Sequence, residues 1–270
     1  MARERIDRMM VRLGLAGTRS LAQALVMEGR VSVEGRRVDK AGFLVAEDAR
    51  IELAGPARPF VSRGGLKLQA ALESFPLEVG GATALDVGAG TGGFTDCLLK
   101  TGAEAVFAVD VGRGQIDHGL RIDPRVTVIE GLNARFLTPG DLPGPVDLAV
   151  MDVSFISATM ILPNLPAVLR GRDVVVLVKP QFEVGRELVG KGGIVRDPAS
   201  WRSALLGVID GAGTCGFGAA GIVPSPVRGA AGNQEFLLHL VLRRPDGGPA
   251  SPSVHALVNA AVTAAGRPKP

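Results

Sequence analysis

The chain has 270 residues, enough for one or two domains, and 46% of them are hydrophobic, a fraction typical of globular chains with a packed core. The formal net charge is only +3, so charge alone does not mark a nucleic-acid partner; its distribution matters more. Cys97 and Cys215 stand far apart, which excludes a disulfide framework and a metal-ligand spacing and suits a reducing cytosol.

Membrane partners are not expected either. The opening Met-Ala-Arg-Glu-Arg has no signal-peptide core. No apolar run approaches bilayer-spanning length. A cytoplasmic location follows as the expectation.

In chain order, Ile6, Met9, Met10 and Leu13 recur at helical spacing. Thr18 is placed to cap a second helix carrying Leu21, Leu25 and Val26, with Gly29 closing it. Residues 31–38 alternate as a hairpin turning at Glu34-Gly35, and 51–53 can return to that small sheet. The character of the chain changes near Pro56-Ala-Arg-Pro59. The expected division is therefore a small N-terminal α+β domain over 1–57, a linker over 58–63 and a larger domain over 64–270. In the larger part, apolar runs at 83–87, 105–109, 126–129, 148–151, 174–178, 219–222 and 236–242 are mostly separated by helical or loop patterns. Such alternation predicts an α/β domain, a mostly parallel sheet covered on both faces. Cys97 falls on an apolar helix face as a small core residue, and residues 254–265, after Pro249-Ala-Ser-Pro252, read as a terminal helix.

One stretch carries the chemistry: Ala84-Leu-Asp-Val-Gly-Ala-Gly-Thr-Gly-Gly-Phe-Thr95. An apolar run ends in an acid, a glycine-dense turn follows, and a helical pattern begins. Glycine permits the tight turn and a close approach of backbone to ligand, and the helix would aim free N–H groups at it. No Gly-Lys-Ser/Thr follows, so this is not a phosphate-gripping P-loop. Asp110 ends the next run and can accept hydrogen bonds from both ribose hydroxyls. NAD and S-adenosylmethionine sites share this plan. Asp86 favours S-adenosylmethionine, because a carboxylate near the first turn suits a cationic amino-acid tail better than a pyrophosphate. Asp86, Gly88, Gly90, Gly92 and Asp110 are the candidate cofactor residues. The competing reading is a structural glycine turn.

Three strand ends are unusual. Asp152 follows four apolar residues, Lys179 follows five, and Glu235 opens the last run. A lysine at a buried strand end must be paired or solvated, and Asp152 is its natural partner, since successive strands often neighbour one another. Lys67 lies in Val61-Ser-Arg-Gly-Gly-Leu-Lys67. Taken singly, each is more often a solvated strand end, turn or surface residue; their joint occurrence beside a cofactor loop points to a site. His118, His239 and His255 show no metal-ligand clustering, and no metal is expected.

These motifs resemble a known family. Arg5-Ile-Asp-Arg, Gly14-Leu-Ala-Gly-Thr-Arg19-Ser and Glu28-Gly-Arg30-Val-Ser-Val-Glu-Gly35 are similar to the S4 RNA-binding domain. Val61–Lys67, the glycine loop, Asp152-Val-Ser-Phe-Ile-Ser157 and Lys179-Pro-Gln-Phe-Glu-Val-Gly185 resemble the FtsJ-like, Rossmann-like methyltransferase domain of the TlyA family, also called haemolysin A. The match covers nearly the whole chain. It implies a Lys-Asp-Lys-Glu tetrad falling on Lys67, Asp152, Lys179 and Glu235, with S-adenosylmethionine as methyl donor and a cytidine 2′-hydroxyl of ribosomal RNA, in subunits or assembly intermediates, as acceptor. It also implies adenine contact by Asn133 and RNA phosphate contact by Arg5, Arg19, Arg30, Arg37 and Arg63, since arginine binds phosphate bidentately. No DNA, membrane or metal partner is implied. Departures from the family pattern are Gly90, where serine is usual, Arg113, where an aromatic is common, His118, near which tryptophan is common, and Phe60, where tryptophan is common. Competing expectations are a small-molecule methyltransferase with an accessory domain, a membrane-active haemolysin, and an RNA-binding protein with an inactive second domain.

Overall fold

The computed structural model describes residues 3–27, 29–53, 59–243 and 253–267. Met1, Ala2, Glu28, the boundary residues 54–58 and the 249–252 segment singled out above lie outside the described residues. The chain divides into two compact units, residues 1–58 with 117–122 and residues 59–116 with 123–270.

The first unit opens with β1 (Arg3–Arg5), α1 (Ile6–Arg12) and α2 (Arg19–Met27), followed by β2 (Val31–Val33), β3 (Arg36–Val38), β4 (Leu44–Ala46) and β5 (Ile51–Leu53). Ile6, Met9 and Met10 of α1 meet Ala22, Leu25 and Val26 of α2 in one apolar cluster. Leu13 does not join it: α1 stops at Arg12, and Leu13 is its 47% exposed C-terminal cap. Thr18 Oγ1 accepts the Leu21 N–H at 3.1 Å, satisfying a free donor of α2. Glu34 (φ 49°) and Gly35 (φ 73°) make the β2–β3 turn with both residues at positive φ, which matches the twist of a hairpin. β5 returns antiparallel to β2. The pairing of β1 with β4 was not expected: two three-residue strands, one of them Arg-Glu-Arg, carry no apolar signal.

Further along run α3 (Arg63–Ser74), β6 (Thr83–Val87), α4 (Gly93–Lys100), β7 (Ala105–Asp110), α5 (His118–Arg121), β8 (Val126–Glu130), β9 (Val146–Met151) and α6 (Leu165–Val168). Then come β10 (Leu169–Val178), α7 (Pro180–Glu183), α8 (Pro198–Thr214), β11 (Phe217–Pro224), β12 (Phe236–Leu242) and α9 (Val254–Ala265). The part of the expected linker that is described belongs to the second unit. Phe60 is buried, the Val61 N–H donates to Asp96 Oδ2 at 2.9 Å, and the Ser62 side chain caps α3.

One seven-stranded sheet has the order β11-β12-β10-β9-β6-β7-β8. β12 runs antiparallel to both neighbours, and the pairs from β10 to β8 are parallel. Val174, Val175, Val176, Leu177 and Val178 are all buried, because both faces of the sheet are covered. On one face Trp201, Leu205 and Val208 of α8 and Val258, Ala261 and Val262 of α9 complete the core, so the terminal helix docks. Burying each such large side chain contributes about 1.5–3 kcal/mol. Cys97 is buried as expected, and burial pushes its thiol up to about 12.

The strand order positions the site. From β6 the chain steps outward to β7 and β8, then returns to the other side of β6 as β9. In open α/β sheets ligands bind beyond the carboxyl ends of the strands at this reversal. Because β12 is antiparallel, its first residue, Phe236, pairs with Val178 at the end of β10. Glu235, Lys179, Asp152 and the glycine loop therefore emerge at the same edge.

Candidate active site

Backbone sterics build the centre of this edge. Asp152 N–H donates to the Val87 carbonyl at 2.9 Å, extending the β6–β9 pairing past both strands. Gly88 lies against that extension. Its φ is +83°, and a Cβ there would sit 2.4 Å from the Asp152 carbonyl oxygen, so no side chain fits. Gly92 (φ 90°) is the left-handed residue from which α4 starts.

Beyond the loop opens a cleft of about 610 Å³, a volume in the range of small-molecule sites. Its walls are the first turn of α3 (Ser62, Arg63, Gly64, Lys67), the loop with the start of α4, the segment after β9 (Asp152, Ser154, Phe155), α7 with Lys179, the glycines Gly192 and Gly193, and Asn233 and Glu235 before β12.

Two lysine–carboxylate pairs line it. Lys67 Nζ is 2.5 Å from Glu235 Oε2, with both residues buried. Lys179 Nζ is 2.7 Å from Asp152 Oδ1, an ion pair without the alignment of a directed hydrogen bond, and donates to Ser154 Oγ at 2.8 Å. Pro180 explains the aim of Lys179: a residue before proline is held in the extended region (here φ −112°, ψ 99°), so the strand ends there and α7 begins with Pro180.

Of the expected cofactor residues, Gly88 and Gly90 line the cleft and Gly92 lies between the lining residues Thr91 and Gly93. Asp86, Asp110 and Asn133 lie off its walls. Asp86 is fully buried, because its side chain turns inward: Oδ2 accepts the Thr95 hydroxyl at 2.7 Å, while Oδ1 has no partner. Burial, with lesser pushes from Asp152 and Asp110 and against the Thr95 hydrogen bond, raises its pKa to about 7. Asp110 spans the loop mouth, accepting the Gly90 N–H at 2.7 Å and the Gly112 N–H at 2.6 Å. Each carboxylate oxygen can accept a further hydrogen bond. Asn133 caps the short turn Ala134–Phe136 through the Arg135 N–H at 3.1 Å and is exposed.

Three side chains in the cleft region escaped the sequence reading, although Ser154 and Glu183 sit inside motifs quoted above. Ser154 holds Lys179. Glu183 clasps the segments after β9 and β10 together, accepting from Ser157 Oγ at 2.5 Å and the Ala158 N–H at 2.9 Å; burial raises its pKa against these hydrogen bonds. Asn233, 1% exposed, donates to the Gly193 carbonyl at 2.8 Å and accepts the Val195 N–H at 2.9 Å. At the cleft mouth Phe155 is 91% exposed with φ 65°, a strained value for a non-glycine residue, and its ring lies 5.2 Å from that of Phe182.

The candidate RNA residues are differently placed. Arg5 and Arg19 are not free surface cations. Arg5 donates to both oxygens of buried Asp7 at 3.1 and 2.9 Å, and Arg19 reaches Oδ2 at 2.9 Å, where Gln23 also donates at 2.8 Å. Asp7 is an acid that organises these two guanidiniums. The Arg37 guanidinium lies over Gly29, and Arg30 donates its N–H to the Leu25 carbonyl at 3.0 Å. Arg63 begins α3 and lines the cleft. The described residues contain no cluster able to hold a metal ion and no helix long and apolar enough to cross a membrane. His239 is buried and lies 2.7 Å from Asp173 Oδ1.

Comparison with known proteins gives concordant results. The FtsJ-like methyltransferase family model matches residues 60–242, and the S4 domain model matches residues 4–51. The 16S/23S rRNA (cytidine-2′-O)-methyltransferase TlyA of Mycobacterium tuberculosis is 45% identical over 240 residues, 88% of this chain and 90% of that protein. Hemolysin A of Brachyspira hyodysenteriae is 39% identical over 88% of this chain and 100% of that protein. A solved structure from Streptococcus thermophilus, 41% identical, covers 98% of this chain and 97% of its own, with a TM-score of 0.74.

Proposed function

The chain belongs to the TlyA family of FtsJ-like methyltransferases, and from that premise we propose that it transfers a methyl group from S-adenosylmethionine to the 2′-hydroxyl of a cytidine in ribosomal RNA. The observation that carries this reading is the meeting of two lysine–carboxylate pairs, Lys67–Glu235 and Lys179–Asp152, in one cleft beside the glycine loop.

The donor set suits the cofactor. Gly90 has open space beside it and leaves room for a nucleoside against the backbone, Asp110 offers acceptor lone pairs at the loop mouth, and the orphan Oδ1 of Asp86 is a buried acceptor suited to a nearby cationic tail. Asn133 would meet the adenine edge with its amide nitrogen. S-adenosylmethionine, when bound, supplies a methyl group that is already activated.

The protein's part is alignment and charge. An ammonium has three donors. Lys179 gives one N–H to Ser154 and holds Asp152 as an ion pair, which leaves an N–H for the acceptor oxygen and the negative charge that develops there. Asp152 balances Lys179, while Lys67 and Glu235 position the hydroxyl; in-line alignment contributes the rest. The four groups interact too closely for one of them to be named the base. The exposed Phe155 ring beside Phe182 offers a stacking face for an unpaired base, which favours an RNA nucleotide over a small metabolite.

Residues 4–51 match the S4 model, and in this reading Arg5, Arg19, Arg30 and Arg37 carry RNA phosphates while Arg63 serves the strand entering the cleft. Asp7 then acts in recognition by fixing two of those guanidiniums. Ribosomal subunits or their assembly intermediates are the partner, which sets the reaction in the cytoplasm. Mass spectrometry of 16S and 23S rRNA from cells with and without the protein is the test. A 2′-O-methylcytidine present only with the protein is expected. Unchanged rRNA, together with methyl transfer into a metabolite extract, would overturn the proposal in favour of a small-molecule methyltransferase.

A further inference from the structure

The acceptor in the reaction proposed above sits next to a charge. In an internal nucleotide the 2′-oxygen and the 3′-phosphodiester are on adjacent ribose carbons, so a cleft that takes the hydroxyl must also receive that anion. Lys67 and Lys179 are already engaged by Glu235 and Asp152. A phosphate entering beside them needs other donors.

The segment 190–196 supplies them. It makes a tight turn in which the Gly190 N–H donates to the Ile194 carbonyl at 3.1 Å and the Gly193 N–H to the Gly190 carbonyl at 3.0 Å. Gly192 (φ 79°) and Gly193 (φ 73°) present bare backbone to the cleft. Lys191 stands at the turn, exposed. Arg196, also exposed, lies beside it: a Cβ on Gly190 would be 3.9 Å from Arg196 Nη1. Among the described residues the Lys191 ammonium, the Arg196 guanidinium and the Gly192 N–H have no protein partner. The neighbouring acid, Asp197, is occupied by the Ala199 and Ser200 N–H groups at the start of α8.

The turn is anchored from behind. Asn233 holds both Gly193 and Val195, and Trp201 Nε1 donates to the Val195 carbonyl at 2.9 Å. The two cations flank a braced turn whose glycines line the reaction cleft, so the backbone needs no large rearrangement to meet an anion.

We propose that Lys191, Arg196 and the Gly192 N–H form a phosphodiester seat for the RNA strand that carries the acceptor ribose. The proposal rests on the RNA reading of the cleft and adds a contact that positions the strand without reading its sequence.

The test uses the full chain with Lys191→Gln, Arg196→Gln and the double substitution. Binding of purified ribosomal RNA is measured from 50 to 200 mM salt, beside methyl transfer at saturating RNA and cofactor affinity. The double variant should bind RNA about five- to tenfold more weakly, with the slope of log affinity against log salt shallower by about 1 to 2. Cofactor affinity, melting temperature and the rate at saturating RNA should be unchanged, and Lys191→Arg should bind as the wild type does. A double variant with wild-type affinity and slope would overturn the seat while leaving the methyltransferase reading intact. A wild-type protein that transfers no methyl to ribosomal RNA would overturn that reading, and the seat with it.

Discussion

Asp7 in the first unit and Asp86 in the second are both fully buried, and they are treated in opposite ways. Asp7 accepts from Arg5, Gln23 and Arg19, with the Arg5 hydrogen bonds the largest influence, and its carboxyl is held far below the ordinary range despite burial. Asp86 has one threonine hydroxyl and an empty second oxygen, and burial raises it to about 7. Partners, not burial, decide the charge state. A buried acid with its lone pairs filled is a structural pin. One left short of partners beside a cleft is poised for a charge brought from outside, and such shortfalls gather at functional sites.

The largest effect that would break this contrast is at the pin. Asp7→Ala removes the charged acceptor shared by Arg5, Arg19 and Gln23 and, through those lost hydrogen bonds, should destabilise the first unit by about 3 kcal/mol. Urea unfolding of the full chain measures this; a cost below about 0.5 kcal/mol would refute the pin. Since the Asp7 pKa is lowered, its contribution is complete above pH about 4 and fades as pH falls through the folded value.

Asp86 runs the other way. Its raised pKa means that stability is greatest below pH about 4 and falls as pH rises toward 7, where the buried group ionises. Asp86→Asn should therefore stabilise the protein at pH 8 by about 2 kcal/mol, with the gain vanishing near pH 4, while weakening cofactor binding. Unfolding midpoints at the two pH values test the sign. A variant destabilised at pH 8 would show that Asp86 is already well partnered.

The smallest effect is at the clasp. Glu183→Ala frees Ser157 Oγ and the Ala158 N–H, and should cost about 1 kcal/mol of stability and slow methyl transfer without changing cofactor affinity. Glu183→Gln should rescue both, because an amide can accept from Ala158 and meet Ser157. An alanine variant with full turnover would remove Glu183 from the positioning of the two segments.

Much of the fold was legible in the chain because covered parallel strands read as unbroken apolar runs: residues 83–87 and 236–242 match β6 and β12 to the residue. β10 was found only in its second half. It begins at Leu169, and Arg170, Gly171, Arg172 and Asp173, with an irregular register, interrupt the apolar pattern. The strand ends at Asp152, Lys179 and Glu235 stood out because a charge at the end of an apolar run is conspicuous. Ser154, Glu183 and Asn233 did not, because their roles rest on hydrogen bonds across 25 to 40 positions of sequence that no local pattern announces. The role of Asp7 was hidden for the same reason: its partners Arg19 and Gln23 lie on the next helix.

The most direct measurement compares wild type and Lys179→Ala in the transfer of a labelled methyl group from S-adenosylmethionine to unmodified ribosomal subunits, with cofactor binding followed in parallel. A loss of at least about 100-fold in turnover with unchanged cofactor affinity is predicted, as expected when a donor aimed at developing charge is removed. Turnover near that of the wild type would contradict the account.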